Sequence, residues 1–183
     1  MRAVMRNVDR RDFLPPGQRE HAALDRPLPI GWEQTNSQPT TVANMLALLQ
    51  VLPTQRVLDV GAGSGWTTAL LGRLVGPDGE VIGVELHPEL AVWGGANLGG
   101  YDMAWASVRQ AEPGVLGWPH GAPYDRILVS AEATELPAAL TAQLGVSGVL
   151  VVPVRGQLLR VTARDAGKLE TSEHGAYRFV PLR

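Results

Sequence analysis

Three alternate glycines, Gly61, Gly63 and Gly65, follow an apolar stretch at residues 56–60 and precede an amphipathic stretch at residues 66–75. Glycine tolerates positive φ and has no Cβ, so the backbone at such a turn can bend sharply and lie close to a ligand. The N-terminus of the helix beyond it offers free N–H groups and the positive end of a helix dipole. A strand, a glycine turn and a helix in this order predict the first half of a doubly wound nucleotide-binding unit.

The glycine spacing differs from that of a dinucleotide site. Dinucleotide folds prefer G-x-G-x-x-G, but here the third glycine comes one position early and Trp66 follows it. Glu85 closes the next apolar run, 20 residues beyond Gly65, where a carboxylate can accept hydrogen bonds from both ribose hydroxyls. Asp59, the glycines and Glu85 together resemble motif I of S-adenosylmethionine-dependent methyltransferases. An ordinary tight strand-to-helix turn is the alternative for the glycines alone.

Length and composition exclude several classes of protein. The 183 residues fit about one domain, and a net charge of −2 without long basic runs does not indicate a surface for nucleic acid. Without cysteine there are no disulfides, thiolate metal sites or cysteine nucleophile, and the four histidines are too scattered for a metal pair. The N-terminus lacks an apolar signal core and no apolar run reaches about 18 residues, so we expect a cytoplasmic protein without a membrane partner. The oligomeric state stays open, with a monomer favoured.

The elements that must position these residues alternate between strand and helix patterns. Residues 24–39 contain closely spaced prolines and a glycine, which predict a stiff extended loop rather than a strand. The other predicted elements are a short helix within residues 1–12, helix 39–49, strand 56–60, helix 66–75, strand 81–85, a helix from His87 that ends at Gly94-Gly95 or continues to Leu98, strands 106–110 and 125–130, helix 137–144, and strands 148–154, 158–162 and 177–182.

This alternation predicts an α/β fold of the Rossmann-like, doubly wound type. The sheet should be mainly parallel, with antiparallel strands at its C-terminal edge. Residues 1–183 are expected to form a single domain. Within it, residues 1–50 would be an N-terminal substrate-side segment and helix packed on the cofactor-binding core at residues 51–183.

Further stretches follow one another along nearly the whole chain. They are Val8-x-Arg10-x-x-Phe13-Leu14-Pro15, Arg26-Pro27-Leu28-Pro29-Ile30-Gly31, Gln34-Thr35-x-Ser37-Gln38-Pro39, Leu58-Asp59-Val60-Gly61-x-Gly63-Ser64-Gly65, Pro88-Glu89-Leu90, Gly117-Trp118-Pro119, Ala122-Pro123-Tyr124-Asp125, Val152-Pro153-Val154 and Arg178-Phe179-Val180-Pro181-Leu182. Together they resemble the protein-L-isoaspartate O-methyltransferase family. The part from Pro27 to Pro39 is specific to that family, whereas the glycine motif is shared with other methyltransferases.

The resemblance implies an S-adenosylmethionine-dependent enzyme that methylates the α-carboxylate of L-isoaspartyl residues in proteins or peptides. The ester then cyclises to a succinimide, part of which opens to normal aspartate, so the activity is a repair. By resemblance, Ser37 is the active-site serine, and Ser37, Arg178 and Val180 bind the substrate. The cofactor-binding residues implied in the same way are Gln34, Thr35, Asp59, Gly61, Gly63, Gly65, Glu85, Leu86, Ala111 and Glu112.

The implied reaction does not require a general base. A carboxylate that attacks a sulfonium methyl is already ionised at neutral pH. It needs in-line placement and desolvation. Positioning of the two reactants can lower the activation barrier by up to about 7–11 kcal/mol. A Ser37 hydroxyl that donates to one carboxylate oxygen would orient the other for attack. The alternative is that Ser37 is the N-cap of the following helix.

Four departures from the family pattern leave the acceptor open. They are Trp32-Glu33 in place of His-Gly, Asn36 in place of an apolar residue, Ala111-Glu112-Pro113 in place of Gly-Asp-Gly, and Ser130-Ala131-Glu132-Ala133 in place of a small-residue run. Either Glu112 or Pro113 stands at the adenine contact. Glu33 or Glu132 would repel an isoaspartyl carboxylate if it pointed inward. The alternatives are a relative that methylates an Asp of a dedicated peptide and a cofactor-binding module without turnover.

Overall fold

The computed structural model describes residues 2–183. The strands are β1 (Leu28–Gly31), β2 (Gln34–Asn36), β3 (Arg56–Val60), β4 (Glu80–Glu85), β5 (Ala106–Gln110), β6 (Tyr124–Val129), β7 (Leu144–Val154), β8 (Gln157–Ala163) and β9 (Leu169–Ala176). The α-helices are α1 (Arg2–Asn7), α2 (Pro39–Leu49), α3 (Trp66–Val75), α4 (Pro88–Leu98) and α5 (Ala138–Thr141). No helix in residues 2–183 is long and apolar enough to cross a bilayer.

The main sheet has the strand order β5-β4-β3-β6-β7-β8-β9, and β1 and β2 form a separate hairpin. Strands β3 to β7 are parallel, and β8 and β9 continue the sheet antiparallel. Helices α1, α2 and α3 contribute to the apolar cluster on one side of the sheet, and α5 contributes to a second cluster. The predicted Rossmann-like α/β fold is therefore confirmed. Its topological switch point lies between β3 and β6, which are neighbours in the sheet but not in the chain.

Helix α4 continues through Gly94-Gly95 to Leu98, the longer of the two predicted alternatives. The glycines do not end the helix because at least one of them serves packing. A Cβ on Gly94 would lie 2.7 Å from the Gly63 carbonyl oxygen, so only glycine allows α4 to approach the turn after β3 this closely.

The prediction of a loop without strands at residues 24–39 is wrong. Strands β1 and β2 pair antiparallel there, and both turn residues, Trp32 and Glu33, have positive φ (+50° and +58°). Leu28 and Ile30 alternate inward, 1% and 4% exposed, but the neighbouring prolines obscured this alternation in the sequence. Proline is tolerated because each strand of a two-stranded ribbon has an unpaired edge.

Two predictions near the C-terminus are also wrong. Strand β9 lies at Leu169–Ala176 and not at residues 177–182, because every residue of this edge strand is exposed and no apolar alternation marks it. The apolar residues at 177–182 instead anchor a C-terminal segment, bridged to Glu132 through Pro181. The predicted helix at 137–144 is only the short α5, and β7 begins at Leu144.

Candidate active site

A cavity of about 780 Å³ lies at the carboxyl ends of the parallel strands. The volume is within the range of small-molecule and cofactor sites, and the switch point is where doubly wound sheets bind ligands. Two predicted site residues, Asp59 and Gly65, lie outside its wall. The wall brings together the others, namely Gln34, Thr35, Ser37, Gly61, Gly63, Glu85, Leu86, Ala111, Glu112, Arg178 and Val180.

The turn after β3 uses backbone conformations that glycine adopts readily. Gly61 and Gly63 have φ of +80° and +54° and line the cavity, so ligand atoms can approach the backbone there. Gly65 is the N-cap of α3 with φ +86°, and a Cβ on it would lie 2.8 Å from the Gly94 carbonyl oxygen. The motif therefore consists of two glycines in the cavity wall and one that packs against α4, and a contact between Gly65 and the cofactor stays a prediction.

Glu85 ends β4 beside this turn and is 6% exposed. Its Oε2 accepts a hydrogen bond from the Gly63 amide at 2.8 Å, and its Oε1 accepts one from the His87 amide at 3.0 Å. Each carboxylate oxygen retains a further acceptor site. A pair of neighbouring hydroxyls, as on a ribose, can therefore donate to a carboxylate that the backbone already holds in place.

Asp59 lies within the protein at 0% exposure. Thr68 Oγ1 donates to its Oδ2 at 2.7 Å, while its Oδ1 has no hydrogen-bond partner in residues 2–183. Burial raises the pKa of Asp59 to about 7; the Thr68 hydrogen bond opposes this rise and the charge of Glu85 adds to it. Asp59 thus joins the end of β3 to α3 across the glycine turn from inside the protein, and its predicted contact with the cofactor stays a prediction.

Ser37 connects the β1–β2 hairpin to α2. It is not the N-cap of α2, because Gln38 occupies that position and makes no side-chain capping bond. The Asp25 carboxylate holds this helix end instead, accepting hydrogen bonds from the Thr40 amide (2.8 Å), Thr40 Oγ1 (2.7 Å) and Gln38 Nε2 (3.1 Å). These bonds, first that of the Thr40 amide, lower the pKa of Asp25. The capping alternative for Ser37 is therefore wrong.

The loop after β5 brings Ala111 and Glu112 to the cavity, whereas Pro113 is not part of the wall. Glu112 Oε1 lies 3.3 Å from His120 Nε2. Of the two residues that the sequence left open for the adenine contact, only Glu112 is therefore in a position to accept a hydrogen bond.

Arg178 and Val180 reach the cavity from the C-terminal segment. That segment is joined to Glu132, whose amide donates to the Val180 carbonyl at 2.7 Å and whose carbonyl accepts from the Leu182 amide at 2.8 Å. Neither Glu132 nor Glu33 belongs to the cavity wall. Neither of these two carboxylates is therefore placed in the wall, where it would repel an anionic acceptor.

Two residues that the sequence did not mark as functional join the parts of the site. Arg10 and Asn36 are 5% and 4% exposed, and a hydrogen bond links their side chains. The sequence places Asn36 on the substrate side, where it does line the cavity, but its amide also bonds Ser64. Spacing gave no signal for these contacts because the partners lie 26 and 28 residues apart.

Comparison with known proteins relates the whole chain to one family. The family model of protein-L-isoaspartate(D-aspartate) O-methyltransferase (PCMT) matches residues 1–183. The protein-L-isoaspartate O-methyltransferase of Anaeromyxobacter dehalogenans (strain 2CP-C) is 48% identical over 181 residues, covering 96% of this chain and 85% of that protein. The protein of the same name from Methanopyrus kandleri is 44% identical over 185 residues, covering 98% of this chain and 81% of that protein.

Solved structures share the fold. One from Plasmodium falciparum, described as a protein-L-isoaspartate O-methyltransferase in complex with S-adenosyl-L-homocysteine, has a TM-score of 0.83 at 24% identity and covers 99% of this chain and 88% of that chain. Another, described as protein-L-isoaspartate O-methyltransferase, has a TM-score of 0.88 at 24% identity, covering 99% of this chain and 60% of that chain. On the match of the family model and the identity to these relatives, the chain belongs to the protein-L-isoaspartate(D-aspartate) O-methyltransferase family.

Proposed function

We propose that this protein is an S-adenosylmethionine-dependent carboxyl O-methyltransferase that methylates L-isoaspartyl residues of proteins or peptides. The observation that carries the proposal is a single cavity that combines the glycine turn and Glu85 with Ser37 and the C-terminal segment. The A. dehalogenans and M. kandleri relatives are named for the same acceptor, and the P. falciparum structure contains the demethylated cofactor.

The residues of the cavity fit S-adenosylmethionine. Gly61 and Gly63 leave room for close approach to the backbone, and the Glu85 carboxylate can accept from the two ribose hydroxyls. Glu112 would accept from the adenine amino group. The other cofactor contacts that we propose are Gln34, Thr35, Leu86 and Ala111. When bound, the cofactor supplies a methyl group on a positively charged sulfonium.

Ser37 orients the acceptor in this proposal. Its hydroxyl would donate a hydrogen bond to one oxygen of the isoaspartyl carboxylate, and this would leave the other oxygen free to accept the methyl group that the sulfonium supplies. The carboxylate is ionised at neutral pH, so the protein need not supply a general base. Its contribution is to hold the reacting groups in line and exclude water.

The remaining parts of the proposal concern the acceptor and its surroundings. Arg178 and Val180 would hold the isoaspartyl backbone, with residues 1–50 as the substrate-side segment on the core at residues 51–183. The monomeric state, the cytoplasmic location and the absence of nucleic-acid and membrane partners remain predictions from the sequence.

Methyl transfer from radiolabelled S-adenosylmethionine to an isoaspartyl peptide and to its aspartyl counterpart tests the proposal. We expect label on the isoaspartyl peptide alone. Label on the aspartyl peptide alone would favour an enzyme for a dedicated peptide. No label on either peptide, with a melting temperature that S-adenosylhomocysteine raises, would indicate a binding module.

A further inference from the structure

Arg10 follows the charged N-terminal helix, yet it is only 5% exposed. Its guanidinium donates to three carbonyl oxygens of the segment before the hairpin, those of Ala22 (3.2 Å), Leu24 (2.9 Å) and Arg26 (2.9 Å). Its Nη2 also donates to the carbonyl oxygens of Asn36 (3.1 Å) and Ser37 (2.9 Å). One buried cation therefore holds the carbonyls of two consecutive residues, Asn36 and Ser37.

The Asn36 side chain extends this contact to the glycine turn. Its Oδ1 accepts from Arg10 Nε at 2.7 Å, and its Nδ2 donates to Ser64 Oγ at 3.1 Å. Arginine can only donate, so the amide oxygen must face Arg10 and the amide nitrogen must face Ser64. The chemistry of the partners thus fixes the orientation of the amide.

Ser64 is itself held in the turn. It is 2% exposed, and its carbonyl accepts from Asn97 Nδ2 of α4 at 3.0 Å. Both Asn36 and Ser64 line the cavity. The chain of contacts from Arg10 through Asn36 to Ser64 therefore joins the end of the hairpin, which Ser37 follows directly, to the turn that contains Gly61 and Gly63.

We propose that Asn36 is a positioning residue, which fixes the hairpin against the glycine turn so that Ser37 holds the acceptor carboxylate in line with the methyl group. This inference rests on the proposed function. Transfer reactions are sensitive to such placement, since a misplacement of about 1 Å can cost on the order of a hundredfold in rate. Asn36 acts through Ser37 and need not touch the reacting atoms.

The test uses variants of the full-length chain at both ends of the Asn36–Ser64 contact. Asn36→Leu removes both side-chain bonds, whereas Ser64→Ala removes only the far one and remains informative if Asn36→Leu does not fold. Thr162→Val is the control, because the buried Thr162 hydroxyl on β8 accepts from Arg160 Nη1 at 2.9 Å away from the cavity wall. For each variant we would measure kcat and KM for an isoaspartyl peptide, the Kd of S-adenosylhomocysteine by calorimetry, and the melting temperature.

We expect Asn36→Leu to lower kcat about tenfold and Ser64→Ala to lower it less, while the Kd of S-adenosylhomocysteine changes less than about threefold. Ser64→Ala should add almost nothing in the Asn36→Leu background, because the two residues act as one contact. Thr162→Val should lower the melting temperature and leave kcat unchanged.

The inference would be overturned if Asn36→Leu and Ser64→Ala fold and keep the wild-type kcat. It would also be overturned if their losses of kcat add in the double variant. A loss of cofactor affinity as large as the loss of kcat would do the same. These outcomes leave the proposed function standing if the wild-type protein methylates the isoaspartyl peptide. A wild-type protein that does not methylate it overturns both.

Discussion

The two sides of the cavity are built in different ways. The side that we propose for the cofactor comes mainly from residues 56–87, where β3, the glycine turn, α3 and β4 follow one another and backbone amides hold Glu85. The side that we propose for the acceptor comes from Ser37, which follows the β1–β2 hairpin, and from the C-terminal segment. These two parts are far apart in the chain and are held by buried side chains and a few backbone bonds. Backbone conformation therefore defines the first side, and long-range side-chain contacts define the second.

Gly65→Ala tests the dependence of the cofactor side on backbone conformation, and we expect the largest effect from it. The new Cβ would stand in left-handed backbone, 2.8 Å from the Gly94 carbonyl oxygen. The free energy of unfolding should fall by roughly 2–5 kcal/mol, combining about 1–2 kcal/mol for the conformation with about 1–3 kcal/mol for the overlap. Urea denaturation measures this loss.

Gly167→Ala is the matched control for Gly65→Ala. Gly167 also has positive φ (+71°), but apart from its two chain neighbours no described residue lies within 4 Å of an added Cβ. The free energy of unfolding of Gly167→Ala should therefore fall only by the part that comes from the backbone conformation. Equal losses in the two variants would mean that close packing of the turn against α4 contributes nothing to stability.

Asp59→Asn tests the buried support of the glycine turn through the pH dependence of stability. Burial raises the folded-state pKa of Asp59 from 3.8 to about 7, so between these values the folded protein keeps a proton that the unfolded chain releases. The free energy of unfolding should therefore fall as pH rises through this window, by at most roughly 4 kcal/mol. Asp59→Asn should lack this component. Denaturant unfolding of both proteins from about pH 4 to 8 measures it, and parallel curves would contradict the assignment.

Glu85→Ala tests the predicted cofactor contact itself. The change removes the acceptor for the proposed ribose hydroxyls and also for the Gly63 and His87 amides. We expect the binding free energy of S-adenosylhomocysteine to weaken by about 1–3 kcal/mol. Glu80→Ala is the control, because Glu80 begins the same strand and pairs with Arg56 Nε at 2.8 Å. Equal affinities for the two variants in calorimetry would remove Glu85 from the cofactor site.

The cofactor side could be predicted because its signals are local. Gly61, Gly63 and Glu85 are linked by a strand–turn–helix–strand order that converts spacing in the chain into proximity at the sheet edge. Two residues of this motif lie outside the cavity wall. Asp59 and Gly65 belong to the same motif, but one lies beneath the turn and the other packs against α4.

The acceptor side was less predictable because long-range contacts define it. The family resemblance marked Ser37, Arg178 and Val180, which all line the cavity. Nothing in the local pattern indicated that Arg10 is buried or that the Asn36 amide bonds both Arg10 and Ser64. The hairpin was also missed, because its prolines lower the strand propensity of the sequence. Its strands are stabilised instead by the packing of Leu28 and Ile30.

Ser37→Ala tests the acceptor side at its central residue. If the hydroxyl orients the attacking carboxylate, kcat should fall about tenfold to a hundredfold, less than the loss of an oxyanion-hole donor, because the carboxylate is already a competent nucleophile and only its orientation suffers. The Kd of S-adenosylhomocysteine and the melting temperature should stay near the wild-type values, since Gln38 is the N-cap of α2 and Asp25 holds that helix end. Ser37→Thr retains a hydroxyl and should recover part of the rate. A wild-type kcat in Ser37→Ala would remove Ser37 from the site, whereas a parallel loss of kcat and cofactor affinity would assign it to the cofactor side.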